Sequence, residues 1–141
     1  MRILIVNGVN LEQLGHREVN IYGTVTFDDY LSKLSAKFPS VQFDFFQSDE
    51  EGLIANRIAN ALGYDGIILN AGAYTHSSMV LADAVRTISC PVIEVHISNL
   101  FGRENYRKNS TLASCCAGFI SGFGLDSYRL AVEALLEKNS I

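Results

Sequence analysis

The chain has 141 residues, 48% hydrophobic and 18% charged, a composition that fits one globular domain with a substantial core and excludes intrinsic disorder. Fifteen acidic residues against eleven Lys and Arg give a formal charge of −4, and no basic run follows a phosphate backbone, so nucleic acid is not expected as a partner although a local anion site stays open. Cys90, Cys115 and Cys116 are an odd set with one adjacent pair, which suits a reducing compartment and small apolar packing roles rather than redox or metal chemistry.

In chain order, Ile3 to Val6 is a short, largely β-branched run, the pattern of a strand covered on both faces. Asn7 and Gly8 interrupt it too soon for a secretory signal. Phe27, Tyr30, Leu31, Leu34 and Phe38 then recur at spacings of three and four, predicting a helix capped by Thr26 and stopped by Pro39. Val41 to Phe46 is a second strand. Leu53 to Leu62 is a helix with Ile54, Ile58, Ala59 and Leu62 on one stripe, ending at Gly63. Gly66 to Leu69 is the third strand, and Met79 to Ile88 an amphipathic helix opened by Ser77 or Ser78 and closed before Pro91. Val92 to Val95 and Ala117 to Ile120 complete the strands, and Leu125 to Leu136 is the last helix. No apolar run approaches about 18 residues, so no segment is expected to span a membrane. The expectation is a single domain over 1–141 in the cytoplasm.

Alternating strands and helices predict an α/β fold, a parallel sheet with helices on both faces and right-handed crossovers. Ligands of such sheets lie beyond the carboxyl ends of the strands. Polar residues cluster there: Asn7 and Asn10 after the first strand, LNAGAYTHSS after the third, and EVHISNLFGRENYRKNS around the end of the fourth.

These loops narrow the chemistry. Neither GxGxxG nor GxxxxGK[ST] follows the first strand, nor does a hydroxyl-rich loop that would hold a flavin phosphate. His16, His76 and His96 fall in three different loops with no pair at i,i+4 spacing, which disfavours zinc. Acid and base work fits better. Glu94 and His96 stand two apart at a strand end and so share a face, where a carboxylate can fix the imidazole tautomer and steady a proton on it. The bland alternative is a locally satisfied polar pair. Arg17 and Tyr22 share the long first loop, NGVNLEQLGHREVNIYG, and a guanidinium near a phenol stabilises the phenolate; a packing tyrosine is the competing reading. Arg103 and Arg107, four apart, could face an anion or hydroxyls, backbone N–H groups at Ile97 and Ser98 could cradle a carboxylate, and Asn70 and His76 add neutral hydrogen-bonding groups. The set suits a small, polyhydroxylated, anionic substrate.

Over essentially its whole length the sequence resembles the type II 3-dehydroquinate dehydratases. NGVNLEQLGHREVNIYG is similar to the family pattern NGPNLNLLGxREPxxYG, and FFQSDEEG, ILNAGAYTHSS, EVHISN and GRENYR agree in order. The resemblance implies a flavodoxin-like three-layer sandwich with a five-stranded parallel sheet of order 2-1-3-4-5. It also implies a homo-oligomer, a dodecamer of trimers, and no cofactor. The implied reaction is reversible anti loss of water from 3-dehydroquinate through an enolate, giving 3-dehydroshikimate in aromatic amino-acid synthesis. Tyr22 would be the base, Arg17 its phenolate partner, both on a lid over roughly 14–23 that would explain the length of the first loop. Asn10 would stabilise the enolate through a water, and His96, oriented by Glu94, would protonate the leaving hydroxyl. Ile97 and Ser98 would take the carboxylate, Asn70, His76 and Arg107 the ring hydroxyls, Arg103 would add positive charge, and Asp83 would reach a neighbouring site in the trimer. Val9, Val19, Glu12, Gln13, Asp49-Glu50, Phe101-Gly102 and Lys108-Asn109 depart from the family pattern without removing an implied catalytic group. A non-catalytic carboxylate binder on the same scaffold is the rival from another class; loss of Tyr22, Arg17 or His96 would have favoured it.

Overall fold

The computed structural model describes residues 1–9, 11 and 24–140. Strands β1 (Arg2–Asn7), β2 (Gln42–Gln47), β3 (Gly66–Asn70), β4 (Val92–His96) and β5 (Gly118–Ser121) form one parallel sheet in the order β2-β1-β3-β4-β5. Among the described residues four α-helices flank it: α1 (Phe27–Lys37), α2 (Glu51–Ala59), α3 (Met79–Arg86) and α4 (Asp126–Ser140). This is a flavodoxin-like α/β fold, and its strand order turns back between β1 and β3, where the crevice of such a sheet opens.

Strand alternation divides the core. Ile3 and Ile5 of β1 pack with Phe27 and Leu34 of α1 and with Tyr128 and Leu135 of α4 on one face. Leu4 and Val6 point to the other face and meet Ile54 and Ile58 of α2 and Leu81 and Val85 of α3. Both helix starts that matter here are capped as their sequences suggest. Thr26 Oγ1 accepts from Asp29 N at 3.2 Å, and Ser78, rather than Ser77, caps α3 by accepting from Leu81 N at 3.0 Å.

The differences from the sequence reading are local. β2 is an edge strand with only β1 beside it, so its residues are half-buried or exposed instead of covered on both faces. α2 starts at Glu51 and stops at Ala59; Asn60 caps it, Ala61 stays in the core, and Leu62 turns out to solvent. α4 runs past Leu136 to Ser140. All three cysteines are free and only partly buried, packed against the α2/α3 side of the core. Burial pushes the Cys116 thiol up to about 12 and raises that of Cys90, so both remain inert thiols at neutral pH. Among the described residues no helix is long and apolar enough to cross a membrane.

Candidate active site

The floor of the site is built where β1 and β3 end side by side. Asn7 pairs with Asn70 in the register, and Gly8 N donates to Asn70 O at 2.7 Å. The loops approach so closely that a Cβ on Gly8 would lie 2.4 Å from the carbonyl oxygen of Ala71, a position only glycine can fill. Beneath them the fully buried Tyr128 of α4 donates to Asn7 Oδ1 at 2.7 Å and accepts from Asn70 Nδ2 at 2.9 Å. Burial pushes the Tyr128 hydroxyl well up, so it stays protonated and serves as that donor. Asn70 Oδ1 also accepts from Gly72 N at 3.2 Å. Among the described residues, then, one N–H of the Asn70 side chain has no bond to the fold.

One strand further on, Glu94 and His96 close β4 on the same face, both buried. His96 Nε2 lies 2.7 Å from Glu94 Oε1. A carboxylate oxygen accepts, so Nε2 carries a hydrogen and Nδ1 is the ring nitrogen directed elsewhere. Thr75 Oγ1 also donates to Glu94 Oε1. Ser110 Oγ lies 2.8 Å and 2.9 Å from the two carboxylate oxygens while accepting from Leu112 N and Ala113 N, each at 3.0 Å. With two N–H groups on its lone pairs, the Ser110 hydroxyl must turn its hydrogen to Glu94. The buried carboxylate is thus held by two hydroxyls and an imidazole.

Around this pair the other residues gather. His76 Nδ1 lies 2.7 Å from Asn109 O and donates to it, leaving Nε2 as the nitrogen available to a ligand. Arg103 Nη1 donates to Ser98 Oγ at 3.3 Å. Glu104 stands between Arg103 and Arg107, with Nε of each at 3.7 Å and 3.2 Å from Oε2. Its own backbone N–H first, and then the two guanidiniums, hold its carboxyl below the usual range. Neither Ile97 N nor Ser98 N donates to a backbone carbonyl among the described residues. Asp83 does not join this set within the chain; it is exposed on α3 and pairs with Arg86 at 3.0 Å. Asn10, Arg17 and Tyr22 lie outside the described residues, as does the rest of 12–23.

Sequence reasoning singled out Glu94 and His96 from their spacing but missed Thr75, Ser110 and Tyr128. Thr75 and Ser110 each fall in a stretch already marked as polar, which was a signal, while Tyr128 reaches the site only through tertiary packing.

Fold and geometry define a flavodoxin-like protein with a buried carboxylate–imidazole pair and hydrogen-bonding groups at the carboxyl edge of its sheet. The comparisons with known proteins are narrower. The family described as class II dehydroquinase matches residues 1–136. The chain is 49% identical to a 3-dehydroquinate dehydratase of Pelodictyon phaeoclathratiforme, over 100% of this chain and 95% of that one. It is also 49% identical to a 3-dehydroquinate dehydratase of Exiguobacterium, over 97% and 95%. The crystal structure of a type II dehydroquinase from Butyrivibrio crossotus superposes with a TM-score of 0.92 at 41% identity, covering 96% of this chain and 97% of that one. The chain belongs to the class II dehydroquinase family.

Proposed function

We propose that this protein is a 3-dehydroquinate dehydratase of the shikimate pathway and works by anti elimination through an enolate. The observation that carries the reading is the buried Glu94–His96 pair at the end of β4, next to the Ile97 and Ser98 N–H groups, in a chain of this family. Tyr22 as phenolate, paired with Arg17, takes the C2 proton, and the C–H electrons pass into the enolate of the C3 carbonyl. Asn10 stabilises the enolate oxygen through a bound water. When the carbonyl re-forms, the electrons make the C1–C2 double bond, and the C1 hydroxyl leaves as water with a proton from His96. Because Nε2 faces Glu94, the donated proton is the one on Nδ1 of the imidazolium. The C3 carbonyl supplies the acidity, so the reaction calls for no cofactor.

Ile97 and Ser98 N–H bind the carboxylate, an Nδ2–H of Asn70, His76 Nε2 and Arg107 hold the ring hydroxyls, and Arg103 beside Ser98 adds positive charge. The assembly is a dodecamer of trimers in which Asp83 enters a neighbour's site. The exposed apolar Met79 and Val80 on the same helix support a subunit contact there. The free cysteines support a cytoplasmic setting.

The test is turnover. Purified protein added to 3-dehydroquinate should raise the ultraviolet absorbance of the conjugated enone, with activity surviving borohydride because no Schiff base forms. Tyr22→Phe should lower kcat by at least about 10²-fold with the fold intact. Absence of turnover in folded, assembled wild-type protein rejects the dehydratase, and wild-type kcat in the variant rejects Tyr22 as base.

A further inference from the structure

Successive carbonyls of an extended strand point in opposite directions, but the three from His96 to Ser98 do not. His96 O accepts from Gly122 N at 3.2 Å and from Ser127 Oγ at 3.1 Å. Ile97 O accepts from Gly124 N at 2.9 Å, and Ser98 O accepts from Ser121 Oγ at 2.9 Å. All of these donors lie in one segment, from the end of β5 into the first turn of α4. In a trans peptide the N–H points opposite the preceding C=O, and no peptide among the described residues is cis. Fixing the carbonyls of His96 and Ile97 to one side therefore turns the N–H groups of Ile97 and Ser98 together to the other. Two successive N–H groups facing one way make a concavity for an anion.

The segment is built for this. Gly122 has φ +103°, and a Cβ there would lie 3.0 Å from Asn99 Cβ. Ser121 Oγ both donates to Ser98 O and accepts from Leu100 N at 3.1 Å, spanning the bend. Ser127 is fully buried. Its hydroxyl gives His96 O a second bond, at the peptide that sets the Ile97 N–H.

We infer that Ser127 is a positioning residue that aims the Ile97 N–H, beside that of Ser98, at the substrate carboxylate by holding the opposite carbonyl, while Ser121 braces the bend at the following peptide. This rests on the carboxylate-binding role given to Ile97 and Ser98 under the proposed function. Neither serine touches substrate. Their contribution is to orient donors before the ligand arrives, so losing one should weaken recognition of the anionic group in particular.

The experiment measures calorimetric affinity for quinate, a ring polyol carboxylate, and for its neutral carboxamide, in wild type and in Ser127→Ala, with steady-state kinetics alongside. Wild type should prefer the carboxylate. Ser127→Ala should shrink that preference about tenfold and raise KM more than it lowers kcat, the loss expected when one charge-assisted hydrogen bond is misdirected. Ser127→Thr, which keeps the hydroxyl, should recover most of the preference. Equal weakening toward both ligands, an unchanged preference, or a wild type with no preference overturns the inference. Should Ser127→Ala fail to fold, Ser127→Cys, which keeps the shape and weakens the donor to His96 O, gives the same comparison, with the same outcomes. A wild type that prefers quinate but does not dehydrate 3-dehydroquinate would reject the dehydratase while leaving the aimed anion site established.

Discussion

Two carboxylates at opposite ends of the sheet are built from similar parts with different results. Toward the amino end, Asp44 of β2 accepts from Tyr64 Oη at 2.8 Å and from Arg2 Nε at 3.0 Å, with Arg2 Nη2 at 2.8 Å. Arg57 Nη2 donates to Tyr64 Oη at 2.7 Å, and the Arg2 guanidinium lies 4.5 Å from the centre of the Tyr64 ring. At the carboxyl end, Glu94 also accepts from hydroxyls, but its basic neighbour is an imidazole and it has no exposure at all. A guanidinium keeps its charge across the accessible pH range, so the Asp44 cluster is a fixed, partly exposed structural pair. An imidazole has two ring nitrogens, so in the Glu94 cluster Nε2 is spent on the carboxylate while Nδ1 is directed elsewhere. What separates the two clusters here is the kind of basic partner and the burial, not the number of hydrogen bonds.

The strongest way to test that distinction is to remove the imidazole. His96→Ala should lower kcat by about 10²- to 10⁴-fold, the range expected for loss of a general acid, while KM moves much less. Steady-state kinetics on 3-dehydroquinate decide it. A wild-type kcat would mean that the carboxyl-end pair is as structural as the amino-end one.

A smaller effect should follow from changing only the carboxylate. Glu94→Gln places an NH2 either on Oε1, where Thr75 and His96 donate, or on Oε2 against Ser110 Oγ, which already accepts two N–H groups, so in either case at least one buried donor faces no acceptor there. The expected cost is about 1–3 kcal/mol in urea denaturation, together with a fall in kcat of at least about tenfold because the His96 tautomer is no longer fixed. Loss of stability with unchanged kcat would make Glu94 a folding element and separate it from His96.

Much of the carboxyl-end cluster was legible in advance because a strand of period two puts Glu94 and His96 on one face whatever surrounds them. Short apolar, β-branched runs located the five strands, and capping chemistry located α1 and the start of α3. The rest depends on contacts between residues distant in sequence. Ser110 reaches Glu94 across 16 positions, and Tyr128 reaches Asn7 across 121. No local pattern distinguishes such a buried hydroxyl from an ordinary loop serine or packing tyrosine. Edge position is equally non-local: the Phe43, Phe45 and Phe46 run reads as fully buried, and only the sheet order shows that β2 has one neighbour. The Arg17–Tyr22 reading came from a guanidinium and a phenol sharing one loop, took its catalytic roles from the family resemblance, and falls on residues outside those described.

The smallest expected effect lies at the amino end, and its pH dependence has a definite sign. The Tyr64 hydroxyl first, and then the Arg2 guanidinium, hold the Asp44 carboxyl below its ordinary value of 3.8. The folded chain therefore binds fewer protons at this site than the unfolded chain over that interval. The resulting stability is full above the ordinary value and drains away as pH falls through the lower folded value. With the Asp44 side chain 32% exposed and Arg2 43% exposed, solvent screens the pair, and Asp44→Asn should cost less than about 1 kcal/mol at neutral pH. The difference between wild type and variant should shrink toward zero in acid and shrink again in about 1 M salt at neutral pH, where the screening length is about 3 Å. Denaturation curves across pH and salt check both trends. A difference that persists unchanged in acid and in salt would assign the cluster to shape rather than charge. Because this cluster lies away from the carboxyl edge, kcat for 3-dehydroquinate should stay at the wild-type level, and a fall in kcat without a loss of stability would break the division between clamp and catalytic pair.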